Sequence, residues 1–238
     1  MRGISMLDDG DRGKPPNSGS ASASSVLQHA AGFIDDTLRS LGSPLFWPYS
    51  SLKGAAELFL NSFDTVYRGG NVRYGDGKPV VLVPGHLGSD VTLEPLSLWL
   101  HAIGYRPAKS NVLININDRL LDEPLTVAVR EATRRIGRKA VIIAFDTGVR
   151  AALRVAEIQR DLVSDVIGLG LLDREPSTPL GIHLHVIRSA SKAPAHSDGK
   201  VHHVRGSRAL LSINPDALRI VSTILRDMPI ALLDQPKG

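Results

Sequence analysis

The chain has 238 residues, 42% of them hydrophobic, enough to bury one full α/β core and too few for two large ones. Its 28 Lys and Arg against 24 Asp and Glu leave a formal charge of +4 with both signs spread along the chain, so no nucleic-acid partner is expected. The absence of cysteine excludes disulfides, thiolate nucleophiles and Cys-ligated metals; no run has the apolar length of a membrane span and no signal pattern opens the chain, so a cytoplasmic protein is expected.

Residues 1–25 are rich in Gly, Ser, Asp and Pro, cannot offset their ordering entropy by burial, and are expected to form a disordered tail. Over residues 26–70 the pattern is helical. Ile34, Leu38 and Leu41, then Leu52, Ala56, Phe59 and Phe63, recur at three-to-four residue spacing, divided by the Pro44 and Pro48 stretch. These N-terminal helices are expected to pack on the core. Peripheral membrane contact through residues 44–63 is the competing reading, disfavoured because their polar faces hold few Lys and Arg.

From residue 71 to 230 strands and helices alternate, followed by a C-terminal tail over 231–238. Lys78 to Val83 is a continuous apolar run suited to a strand buried on both faces. Leu93, Leu96, Leu100 and Ile103 mark a helix ending at Gly104, and Asn111 to Ile116 reads as the next strand. Pro124 opens a helix through Leu125, Val129, Ala132 and Ile136 that stops at Gly137. A strand over Lys139 to Ala144 precedes a helix through Ala151, Ala152, Val155 and Ile158. Val166 to Leu171, Ile182 to Ile187 and Val201 to Val204 read as further strands, and Asn214-Pro215 opens a last helix. This alternation predicts a three-layer αβα fold with a mostly parallel, doubly wound sheet and ligands at the strand carboxyl ends.

Three segments carry a resemblance to the α/β-hydrolase-fold family of esterases and lipases. Val80-Val81-Leu82-Val83-Pro84-Gly85-His86-Leu87-Gly88-Ser89 resembles its strand and oxyanion loop. Val141-Ile142-Ile143-Ala144-Phe145-Asp146-Thr147-Gly148 resembles its nucleophile elbow, with Asp146 where the family has serine. Val204-Arg205-Gly206-Ser207-Arg208-Ala209-Leu210-Leu211 resembles the segment around its catalytic histidine, with Arg208 in the histidine's place. Lys192 falls nearest the family's acid position, and His86 and Thr147 occupy the oxyanion-hole positions. The short Asp173 to Gly181 connection implies a minimal cap or none.

The resemblance implies a degenerate triad. Serine chemistry needs a base and an orienting acid, and none of the three groups is present at its position. The expected function is a non-catalytic member that binds an unidentified small molecule or protein, with an Asp146–Arg208 ion pair closing the former site. The alternative is an active ester, epoxide or haloalkane hydrolase with Asp146 as nucleophile and His86, His202 or His203 as base, because arginine cannot deprotonate at neutral pH. No cofactor and no metal are expected. His183 and His185 alternate on one strand face but nothing supplies further ligands, and the phosphate-loop patterns are missing around Gly85 and Gly88. Arg188, Lys192, Lys200, Arg205 and Arg208 are expected to make the C-terminal loops basic.

Overall fold

The computed structural model describes residues 64–72, 74–170, 181–190 and 200–228. Lys192, the two helices expected before residue 64, the disordered tail, most of the short connection in place of a cap, and the C-terminal tail lie outside the described residues.

Among the described residues six parallel strands form one sheet in the order β2-β1-β3-β4-β5-β6: β1 Pro79–Val83, β2 Arg106–Lys109, β3 Ala140–Phe145, β4 Val163–Leu169, β5 His183–Ser189 and β6 Val201–Val204. Among the described residues four α-helices cover it: α1 Glu94–Ala102, α2 Asp122–Ile136, α3 Gly148–Ile158 and α4 Pro215–Asp227. Every residue of β1 is buried, which explains why its sequence is apolar without alternation. One sheet face packs Val80, Leu82, Val141, Ile143 and Ile167 against α1 and α4. The other packs Val81, Val83, Ile142, Ala144 and Val166 against α2 and α3. The result is a three-layer αβα sandwich. Among the described residues no helix is long and apolar enough to cross a membrane.

Local chemistry explains the helix limits. In α2, Leu125, Ala128, Val129 and Ala132 share the buried face, Asp122 and Glu123 occupy the first turn, and Arg134 and Arg135 the last. Gly137 ends it at φ 73, where its N–H reaches the Thr133 carbonyl. Pro124 is the third residue of this helix rather than the first, still within the turn whose N–H groups have no helical acceptor. At α4 the Asn214 side chain accepts from the Ala217 N–H at 3.0 Å and Pro215 follows at the first position.

One strand departs from the sequence expectation. The segment after α1 that pairs with β1 is Arg106–Lys109, not Asn111 to Ile116. Arg106 donates its N–H to the Lys78 carbonyl, so Pro107, alternating with it, turns its missing donor toward the outer side of the strand, the unpaired edge of the described sheet. Asn111 to Ile116 instead forms a loop, begun by Asn111 at φ 61, in which Leu113, Ile114 and Ile116 are exposed.

Candidate functional site

The chain passes from β1 to β2 in one direction across the sheet and from β2 to β3 in the other. The carboxyl ends of adjacent β1 and β3 therefore flank the switch point where a crevice opens in such sheets. The loop 84–89 leaves β1 there and the tight turn Asp146-Thr147 leaves β3. Close packing dictates the small residues: a Cβ on Gly85 would lie 3.2 Å from the Asp146 Cβ, and one on Gly148 only 2.7 Å from the Pro84 carbonyl oxygen. Asp146 itself has φ 44, in the left-handed region that side chains other than Asn, Asp and Gly resist. Its N–H is held by the Leu169 carbonyl at 2.9 Å, which joins the turn to the end of β4.

The loop after β6 folds back over the strand ends and brings Arg208 to this turn. Arg208 Nη1 donates to Asp146 Oδ1 at 3.3 Å and approaches the Gly170 carbonyl at 3.5 Å. The two side chains are 43% and 28% exposed, so the pair is solvated and contributes about 0–1 kcal/mol rather than the several expected of a buried one. Asp146 is accordingly tolerant. Asp146→Asn and Asp146→Gly are expected to change stability by no more than about 1 kcal/mol, since both accept a positive φ. Asp146→Val combines loss of the pair with a β-branched side chain at φ 44 and should cost about 2 kcal/mol, read by urea denaturation. Equal losses for Gly and Val would show that the turn relaxes away from this geometry.

The other residues singled out by the sequence are distributed unequally. His86 lies exposed in the loop 84–89, beside Gly85. Thr147 is the N-cap of α3, and its hydroxyl is buried without a hydrogen-bond partner among the described residues. His202 and His203 pair with Ile187 and Arg188 on β6, three strands from β3, roughly 14 Å at about 4.8 Å per strand. Burial pushes the His202 imidazole below its ordinary value, with His203 adding to the effect. Among the described residues no hydrogen bond joins Asp146 to a histidine.

His183 and His185 do share a face of β5, but His183 stands at the strand's amino end and bonds Asp165 at 3.2 Å. Burial likewise pushes His185 down. Among the described residues no group of three His, Asp or Glu is placed to hold a metal ion. Lys200 corrects the expected basic cluster: it precedes β6, which puts it at the amino end of the sheet, away from Arg205 and Arg208.

Asn115, which the apolar pattern around it would place in a strand, ties the loop after β2 to the loop 84–89. Its buried side chain donates to the Pro84 carbonyl at 3.0 Å, its N–H donates to the Gly88 carbonyl, and its own carbonyl accepts from the Leu87 N–H. An amide between apolar neighbours is the signal the sequence offers for it.

No protein-family profile and no curated protein matches the chain. Among solved structures it is similar to a protein of the alpha/beta hydrolase superfamily from Xanthomonas campestris pv. campestris, at 11% identity and TM-score 0.46 over 65% of this chain and 100% of that one. It is also similar to Aspergillus fumigatus lipase B, at 13% identity and TM-score 0.42 over 69% of this chain and 57% of that one, and to a Bacillus cereus carboxylesterase, at 12% and 0.35 over 56% and 81%. These likenesses are remote, and the assignment rests on the strand order, the two-sided helix layers and the glycine-flanked turn at the switch point: the chain has a fold of the α/β-hydrolase type.

Proposed function

We propose that this protein is a non-catalytic member of the α/β-hydrolase fold that binds a small molecule or a protein partner at the carboxyl ends of β1 and β3. One observation carries the reading: the carboxylate at the elbow is engaged by an arginine, which cannot take up a proton from a nucleophile or a water at neutral pH. A solvated pair at the carboxyl ends of the strands is suited to polar recognition rather than to covalent chemistry. We place the protein in the cytoplasm, where the lack of cysteine forgoes no stabilisation by disulfides.

A second reading is favoured by the contact between Gly85 and Asp146, which brings the His86 loop against the elbow. In it the Asp146 carboxylate attacks an ester, epoxide or haloalkane carbon, breaking its C–O or C–halogen bond so that alkoxide, protonated by solvent, or halide leaves (the opened epoxide keeps its oxygen), and His86 takes a proton from the water that then hydrolyses the aspartyl intermediate and returns the carboxylate. Hydrolysis of a panel of activated esters, an epoxide and a haloalkane by wild type, Asp146→Ala and His86→Ala decides between them. No turnover above buffer in any of the three is the expected result. Turnover that vanishes in Asp146→Ala would establish a working nucleophile and sink the first reading.

A further inference from the structure

The end of the sheet opposite the Asp146 turn carries a concentration of arginine that the packing does not require. From Arg130 to Lys139, at the close of α2 and the entry to β3, five of ten residues are cationic and only Glu131 is acidic. Contacts with the end of α3 gather them. Arg130 Nε donates to the Gln159 side chain at 3.4 Å, and Lys139 Nζ donates to the Arg160 carbonyl at 3.1 Å. The nearby carboxylates are already engaged: Glu131 by Arg135 at 3.7 Å, Glu157 by Arg160 at 3.5 Å and Asp76 by Arg138 at 3.3 Å. Arg130, Arg134 and Lys139 have no ion-pair partner among the described residues, where only Asp161, exposed after Arg160, remains as a free acid of this turn. Attraction to the helix dipole accounts for Arg134 and Arg135 in the last turn of α2. It does not account for Arg130, one turn earlier on the exposed face, where a second cation four residues away opposes the helix.

We propose that this face binds an acidic segment of a partner protein, whose carboxylates pair with Arg130 and Arg134 and whose apolar side chains cover Val127 and Ile158. Charge selects the occupant, because three cations without counter-ions are complementary to carboxylates, and the planar arginine fork accepts a carboxylate through two parallel bonds. The surroundings select a protein. Val127, three residues before Arg130, is 51% exposed, and Ile158, next to Gln159, is 70% exposed, so apolar area lies among the cations as it does at protein interfaces. A nucleic-acid duplex carries phosphates at fixed close spacing and would press them on Glu131, Glu157 and Asp161, whereas a peptide places its acids only where the arginines stand. A lipid surface gains too little from three cations without a deeper apolar anchor or an aromatic side chain beside them. This face lies at the amino ends of the strands, so the proposal does not rest on the site at their carboxyl ends.

Fluorescence anisotropy on the full-length protein tests this with a labelled peptide of glutamates broken by single leucines. Saturable binding is expected, weakened about tenfold in an Arg130→Glu, Arg134→Glu double variant that keeps the wild-type melting transition. Should charge reversal disturb α2, Arg134→Gln alone supplies the comparison, with an expected loss of about threefold. Serine in place of the leucines should also weaken the peptide about threefold. No binding by wild type, equal binding by wild type and the arginine variants, or equal binding of the leucine and serine peptides overturns the proposal. Tighter binding of a DNA duplex or of phosphatidylserine vesicles, lost in the same variants, would overturn it too and identify a nucleic acid or a lipid surface as the occupant.

Discussion

Gly148→Val is expected to lower the melting temperature by about 6–12 °C, from a loss of about 3 kcal/mol at about 2–4 °C per kcal/mol in a domain of this size. The reason is the position of the Pro84 carbonyl oxygen, 2.7 Å from where a Cβ on Gly148 would stand, with the Val83 side chain at 3.1 Å. Backbone cannot swing aside as the end of a flexible side chain does. The same carbonyl accepts the Asn115 side chain, so any retreat of Pro84 disturbs the brace between the two loops as well. Gly148→Ala carries the same clash without the branched methyls and should fall between wild type and valine. A valine variant that melts with wild type would show that α3 and the loop 84–89 are not packed this closely.

Trp99→Ala should cost about 3–5 kcal/mol, the range for removing a large aromatic side chain from a core, measured as a shift in urea midpoint at constant slope. Trp99 is 3% exposed within the cluster joining β1, α1 and α4. Its indole Nε1–H also donates at 3.0 Å to the Val66 carbonyl, which the alanine variant leaves short of a partner. Trp99→Phe retains most of the bulk and should lose only about 1–2 kcal/mol. Because Val66 belongs to the short 3-10 turn Thr65–Arg68, this bond ties the start of the described chain to α1.

Sheet and helices were legible wherever burial was two-sided or a cap was explicit. The continuous apolar runs of β1 and β3 reflect helices on both faces, and Asn214-Pro215 and Gly137 marked helix limits through local chemistry alone. β2 was not legible, because an edge strand half open to water tolerates Arg106, Pro107 and Lys109, whereas the apolar residues of the following loop imitate a strand. At the switch point, the two glycine-containing segments singled out in the sequence do pack together. The bracing by Asn115 left only the trace of a lone amide among apolar neighbours, since its three contacts all come from residues distant in sequence.

Pattern by itself determined the fold class, because periodicity encodes which faces are buried, and the family resemblance of Val141 to Gly148 located the elbow. Only the tertiary structure decided what those side chains do together. The return of the β6–α4 loop sets Arg208 against Asp146, and the packing that surrounds them leaves the pair in water rather than in the core. Solvent exposure of a contact depends on everything that fails to cover it, and no local stretch of sequence specifies that.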